Sequence, residues 1–480
     1  MKKLLMMLMV VQSLHPEVIS QSVGIGTTNP SEKLQVAGNI KGDTIKPNAI
    51  QLISNAGSGK ILTSDDAGNA SWKTSSTSNA GGNIGYGGWG DCATNANLAD
   101  YNPVGDSTGA AGDGFGRAVA ISGSWAITGS PIRKVGANTQ QGQVSFFKYE
   151  SNGWVQKQII TDANGAAGDW FGISVSISGN YAIIGTPYDD LGLPTSNRGS
   201  ASIYQFNGTS WVFMQKVVDI SGGVDDNFGG SVSVSGNYAV VGALNDNVGA
   251  NVDQGSASIY RYNGTSWVFL QKITDIFGTT SDFFGCSVSI SGTWVIVGAY
   301  GDDEVFQNQG SAHTFSFDGA TWSQTQRITS ATAAVDEWFG FSVCISGNNA
   351  IIGSPHVDVG TNGNQGSVNF YQKGTTWVFM QKFTETGGGV SDNFGWSVAI
   401  SGNYAIAGAL FDDVGSNTDQ GSSTIYLRIG PFWQKLQYVT DPAGEGSDLY
   451  GGSVSIDGNT KRFLIGAQSA GTVGKAVFGK

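Results

Sequence analysis

Carboxylates at repeating positions are the residues best placed to do chemistry in this chain. One acid stands two residues before each Phe-Gly or Tyr-Gly dipeptide: Asp113, Asp169, Asp226, Asp282, Glu337, Asp392 and Asp448. A second set follows further along each copy: Asp189-Asp190, Asp246, Asp302-Asp303, Asp358 and Asp412-Asp413, with Arg133-Lys134 in the first copy instead. Convergent carboxylates can transfer protons or hold a hard cation. An acid present in every copy also suits a structural task, accepting the backbone N–H groups of a turn. For the second set two readings stand: solvated loop charge, or a rim that binds a cation or a basic ligand.

Other reactive groups are scarce. The three histidines (His15, His313, His356) form no His-Glu-x-x-His or Cys-His arrangement, and no Gly-x-Ser-x-Gly elbow occurs. Cys92, Cys286 and Cys344 lack the Cys-x-x-Cys spacing of a zinc or redox site, and Cys286 and Cys344 read as buried free thiols. Gly24-Ile25-Gly26 is not followed by the rest of a phosphate-binding loop. No catalytic residue, metal or cofactor is therefore expected.

The elements that carry these residues are strands. Glycine makes up 72 of 480 residues, and only 13% are charged, about half the usual roughly 25%. Ten prolines and no Gly-X-Y period argue against collagen, and 11% aromatics argue against disorder. The net charge of −12 disfavours nucleic acid, whose phosphates need clustered Lys and Arg.

The Phe-Gly dipeptide recurs every 55 to 57 residues, at Phe115, Phe171, Phe228, Phe284, Phe339 and Phe394, with Tyr450-Gly451 as a seventh copy. One unit contains four short β-runs: Gly230–Val234, Tyr238–Gly242, Ser256–Tyr262 and Trp267–Ile273. Ser235-Gly236-Asn237 turns the first pair, and Asn263-Gly264 reads as a two-residue hairpin between the last two. Four antiparallel strands per unit make the blade of a β-propeller, with a parallel β-helix as runner-up. Ser alternating with Val suits an innermost strand, where blades converge. Trp154, Trp211, Trp267, Trp322, Trp377 and Trp433 open the fourth strand and read as packing between splayed blades.

The last unit has room for only three strands. Residues from about 98 to 112 resemble the tail of a unit, with Leu98 in place of Trp and Pro103 inside the run. The expected fold is thus an all-β, seven-bladed propeller of four-stranded antiparallel blades, closed by an N-terminal strand. An outermost edge strand tolerates the proline.

The Asp-x-Phe-Gly units resemble the FG-GAP repeat of integrin α-chain propellers and their bacterial relatives. Calcium-binding members carry an Asp/Asn-rich loop between the first two strands. Here that loop is a bare Ser-Gly-Asn turn (178–180, 235–237, 346–348, 401–403) or Asp457-Gly458-Asn459. One carboxylate cannot build a cage of six to eight oxygens, so the family's calcium sites are not carried over.

Ahead of the propeller, Met1-Lys2-Lys3 and the apolar run Leu4–Val11 read as a signal peptide over 1–20, too short to span a bilayer. Residues 21–78 resemble the stalk segments of bacterial surface and tail-fibre-like proteins, which implies a homotrimer. Residues 79–97 read as a Ser/Asn/Gly linker, and 98–480 as the propeller.

The expected product is a secreted or cell-surface, non-catalytic binding or adhesion module without a transmembrane helix. Its partner would be an extracellular protein or glycan, held by variable loops on one rim. A carbohydrate- or lipid-active enzyme and a structural spacer are the alternatives. Without calcium cages, millimolar calcium or a chelator should leave the melting temperature of the chain within about 2 °C. A larger rise with calcium, read by thermal unfolding, would restore the metal.

Overall fold

In a computed structural model of the chain, the described residues of the propeller are 102–106, 109–151, 153–193, 196–385, 387–471 and 473–480. Ahead of these, only four short strands are described. Val23–Ile25 pairs in parallel with Leu34–Val36, and Lys60–Ser64 pairs antiparallel with Ala70–Thr74. The expected signal peptide, the linker and Leu98 lie outside the described residues. The chain divides into two compact units, residues 1–90 and 91–480. Among the described residues no helix is long and apolar enough to cross a membrane.

The larger unit is a ring of seven four-stranded antiparallel sheets. Blade three is representative: Ser231–Ser235, Tyr238–Ala243, Ser256–Tyr262 and Trp267–Ile273, paired in chain order. Blade seven takes Tyr450–Asp457, Arg462–Ala467 and Lys475–Gly479 from the end of the chain. Its fourth strand is Asn102–Val104, with Val104 opposite Ala476 and Pro103 opposite Val477. Pro103 sits exposed on that outer edge, where a missing N–H costs no ladder bond. The ring closes as the sequence implies.

Inner strands face the axis and would leave one row of N–H groups unpaired. Serines of the preceding blade accept them. Ser176 and Ser178 take the N–H groups of Val234 and Gly236, and Ser287, Ser289 and Ser291 take those of Val343, Ile345 and Gly347. Across the closing seam Ser453 and Ser455 do the same for Val119 and Ile121. The Ser-Val alternation therefore has a second cause beyond small size: each hydroxyl satisfies a neighbour's backbone donor.

The Asn-Gly connection differs from the expected two-residue hairpin. Tyr262 pairs with Trp267, so the loop is the four residues 263–266. Asn263 Oδ1 accepts the N–H groups of Thr265 and Ser266, at 2.9 and 3.0 Å. These bonds add to the backbone bond from the Asn263 N–H to the Ser266 carbonyl at 3.1 Å, and together they close a four-residue turn.

At the periphery each of the first six outer strands carries a β-bulge. The glutamine after the bulge reaches the next blade. Gln271 Nε2 donates to the carbonyl of Trp322 at 2.8 Å, and the Trp322 N–H donates back to Gln271 Oε1 at 2.9 Å. The opening tryptophans are buried as expected, at 2 to 8% exposure, and they stack across seams. Trp433 lies 4.5 Å from Phe370 and Trp154 4.2 Å from Phe478.

Phe-Gly itself forms the seam. All six phenylalanines and Tyr450 are fully buried. The Phe284 N–H donates to the Gln254 carbonyl of the blade before it, at 2.8 Å. The following glycine presents its carbonyl to the second-strand glycine of that preceding blade. A Cβ on Gly298 would stand 1.8 Å from Gly340 O, whereas one on Gly292 meets nothing within 4 Å. Gly298→Ala should therefore lower stability by about 2–3 kcal/mol through forced separation of two blades. Gly292→Ala should cost only about 1 kcal/mol, from its positive φ. Thermal unfolding of both variants checks the order.

Candidate functional site

The structure divides the two acidic sets by task. Each acid before Phe-Gly sits beside the turn leading into its blade, and most accept a backbone N–H there. Asp169 Oδ2 takes the Ala166 N–H at 2.6 Å, Asp282 takes that of Thr279 and Asp448 that of Glu445. Burial pushes the carboxyls of Asp169, Asp226, Asp282 and Asp392 up to about 6.

The rim-loop acids separate by position. Asp189, Asp246, Asp302 and Asp412 are buried, at 7, 4, 3 and 9% exposure. Lys216 Nζ lies 2.5 Å from Asp189 and 2.7 Å from Asp162. Lys272 bridges Asp246 and Asp219 in the same way, and Arg327 pairs with Asp302. In blade six Tyr438 donates its hydroxyl to Asp412 at 2.5 Å. Burial acts to raise the Asp219 carboxyl, but hydrogen bonding and charge from Lys272 outweigh it and the net direction is down. These acids are not a solvated rim. An outer-strand lysine or arginine reaches inward to Asp189, Asp246 and Asp302 and neutralises them, and a tyrosine hydroxyl takes that place at Asp412.

The second acids of the set are the outward ones. Asp303, Asp358 and Asp413 are exposed and Asp190 is half-buried. Each accepts an N–H of its own loop: Asp190 from Ser196, Asp303 from Asn308, Asp358 from Asn364 and Asp413 from Asp419. They hold loop shape whatever else they touch.

Among the described residues, two groups have the ligand atoms to hold a cation by distance: Asp219 with Asp226 and Asp246, and Asp275 with Asp302 and His313, each within 4.8 Å. Lys272 already occupies the first and Arg327 the edge of the second. His313 is fully buried, with Nε2 2.7 Å from Ser311 Oγ and Nδ1 3.0 Å from Gln324 Nε2. Burial holds its imidazole down to about 3, so it stays neutral. Ser311 is equally inaccessible and donates to Asp302. The Ser-His-Asp grouping is a core network with no route for a substrate.

Cys286 and Cys344 are free and half-buried rather than fully buried. Burial nonetheless pushes the Cys286 thiol up to about 12. The two are not joined.

A different set of side chains converges at the axis. Where the inner strands begin, they surround a cavity of about 340 Å³ at the mouth of the central channel. Two positions of the repeat face this end, one just before Phe-Gly and one just after it. The later one reads Arg117, Ile173, Gly230, Cys286, Phe341, Trp396 and Gly452 around the ring. Phe341 and Trp396 stand 4.6 Å apart. Their contacts extend into a half-exposed aromatic shelf across blades four to six: Tyr300 lies 5.2 Å from Trp338, and Trp338 stacks on His356 at 3.6 Å. Burial pulls the His356 imidazole below its ordinary value, against the nearby Asp336 and Asp358.

The backbone beneath the shelf is strained. This repeat position has positive φ in every copy, at Gly114, Trp170, Asn227, Phe283, Trp338, Asn393 and Leu449, with Trp338 at 54° and Phe283 at 56°. A bulky residue at positive φ is a genuine outlier, and such strain clusters at functional sites. Sequence reading centred on the loop acids passed over this shelf. Its signal was present: within a monotonous repeat, the positions flanking Phe-Gly change residue type in almost every copy.

The FG-GAP repeat profile matches residues 105–147, 154–204, 211–260, 267–315, 322–370 and 377–426, more than half of the chain. Among solved structures, a functionally unknown protein from Desulfotomaculum acetoxidans DSM 771 is 11% identical with a TM-score of 0.41. That similarity covers 69% of this chain and 87% of the other. No curated protein matches.

Because the inner rim acids are neutralised internally, Lys216→Met should destabilise the propeller by roughly 3 kcal/mol, leaving Asp162 and Asp189 buried without a counter-ion. Asp303→Asn, on the exposed side of its loop, should change stability by less than about 0.5 kcal/mol. Denaturant unfolding of the two variants measures the contrast.

Proposed function

The chain belongs to the FG-GAP repeat family, and from that premise we propose that it is an exported, non-catalytic binding and adhesion module. Its ligand, an extracellular glycan or protein, docks at the aromatic mouth of the channel rather than on the acidic loop tips. One observation carries the reading: half-exposed aromatic side chains gather around the repeat positions that vary most, Trp338, Phe341 and Trp396 among them. Partly exposed aromatic clusters are costly to leave in water and are enriched where partners bind.

The rest of the repeat supports this division of labour. Seams, clasps and buried ion pairs use the constant positions, so the mouth can change without loss of the ring. Export and surface display rest on the N-terminal run of lysines and apolar residues, and trimerisation on the stalk-like segment. Both belong to the same proposal.

Binding of the purified chain to glycan and matrix-protein arrays tests it. Trp396→Ala and Trp338→Ala should each weaken the captured ligand by about tenfold or more, with the melting temperature nearly unchanged for Trp396→Ala. Capture that survives both substitutions, or no capture by a folded protein on any array, would sink the proposal.

A further inference from the structure

We infer that the axial mouth is a subsite for one carboxylate-bearing sugar ring, the acidic residue of an extracellular glycan. The inference rests on the mouth being the binding surface and adds the chemistry of what it binds.

Size is the first argument. About 340 Å³ lies at the small end of the roughly 300–1,000 Å³ of small-molecule sites. That size suits a single pyranose ring. Shape is the second. Blades five and six wall the cavity with Phe341 and Trp396, whose planes meet at 48°. Across the ring from Trp396, blade three has Gly230, and beside it blade seven has Gly452, so glycines leave room next to the wall. A pyranose has an apolar C–H face and a rim of hydroxyls. An aromatic wall takes the face, and inner-strand serines that line the cavity, such as Ser287, offer hydroxyls to the rim.

Charge is the third argument and selects the acid. Among the residues lining the cavity, Arg117 alone carries a formal charge. It is exposed at the mouth and forms no ion pair among the described residues. Its Nη1 donates to Gln468 Oε1 at 2.7 Å, which orients the guanidinium and leaves other donors available. By contrast Arg133 and Arg327, close to the same rim, are both tied to aspartates. In a chain of net charge −12, an unpaired arginine beside an aromatic wall is suited to a carboxylate, which it can grip with two parallel hydrogen bonds. Blade order places Arg117 in blade one, two blades from Trp396 and three from Phe341. The carboxylate and the stacked ring face therefore have separate partners.

Titration calorimetry of the full chain with methyl glucuronide, its neutral counterpart methyl glucoside, and acetate tests this. The glucuronide should bind at least about tenfold more tightly than the glucoside, and acetate should not bind measurably. Arg117→Gln should abolish the preference for the acid while leaving the weak glucoside binding, and Trp396→Ala should remove both. Equal binding of the two sugars, no binding of the glucuronide, or a preference that survives Arg117→Gln would overturn the inference. If an array ligand of another class is lost on Trp396→Ala while the glucuronide fails, the binding surface stands and only its acidic-sugar chemistry falls. If no captured ligand depends on Trp396 or Trp338, the binding-surface proposal falls too.

Discussion

Everything in the propeller depends on one close approach, the carbonyl of the glycine after Phe or Tyr against the second-strand glycine of the neighbouring blade. The seam repeats seven times: Gly129 to Gly172, Gly185 to Gly229, Gly242 to Gly285, Gly298 to Gly340, Gly353 to Gly395, Gly408 to Gly451, and Gly466 back to Gly116. At each, a Cβ would come within about 2 Å of a backbone oxygen, so no other residue fits without parting the blades. The buried ring of the preceding Phe or Tyr fills the space alongside, and its N–H bonds to the previous blade's loop. Seven equal seams close a circle, and the last is made between the two ends of the unit.

Backbone groups at the seams then follow a consistent rule: what one blade leaves unpaired, a side chain of its neighbour satisfies. Inner-strand N–H groups find serine hydroxyls, the backbone N–H and carbonyl of outer-strand tryptophans find glutamine amides, and most buried loop aspartates find lysine or arginine. The serine and glutamine contacts cross from one blade to the next, and Lys216 and Lys272 each join an acid of their own blade to one that follows the blade before. They stabilise adjacency, which is why a low-charge, glycine-rich sequence can hold a large ring together.

Much of this was legible in the chain. The Phe-Gly spacing gave the blade count, the truncated seventh unit with its spare tail before Phe115 gave the closure, and the tryptophans gave the packing positions. The division of the loop acids into buried and exposed members was not legible, because a carboxylate in a loop looks the same in the sequence whether solvated or buried. Asp189 is separated from Lys216 by a whole third strand, and only the folded sheet brings them together. The loop at Asn263 is longer than its Asn-Gly dipeptide suggests for a local reason: beside the Asn263–Ser266 backbone bond, the side chain accepts two further N–H groups and stabilises a four-residue turn.

The sequence by itself determined the architecture, because a repeat imposes the same strand lengths, turns and close contacts seven times over, and few folds satisfy all copies at once. The tertiary structure decided which residues remain available for function. Phe341, Trp396 and Arg117 lie in blades five, six and one, far apart in the chain, and only the closed ring sets them around one axis. Periodicity reports what every blade shares. A site at the centre of the ring is built from what the blades do not share, and its members become neighbours only when the ring shuts.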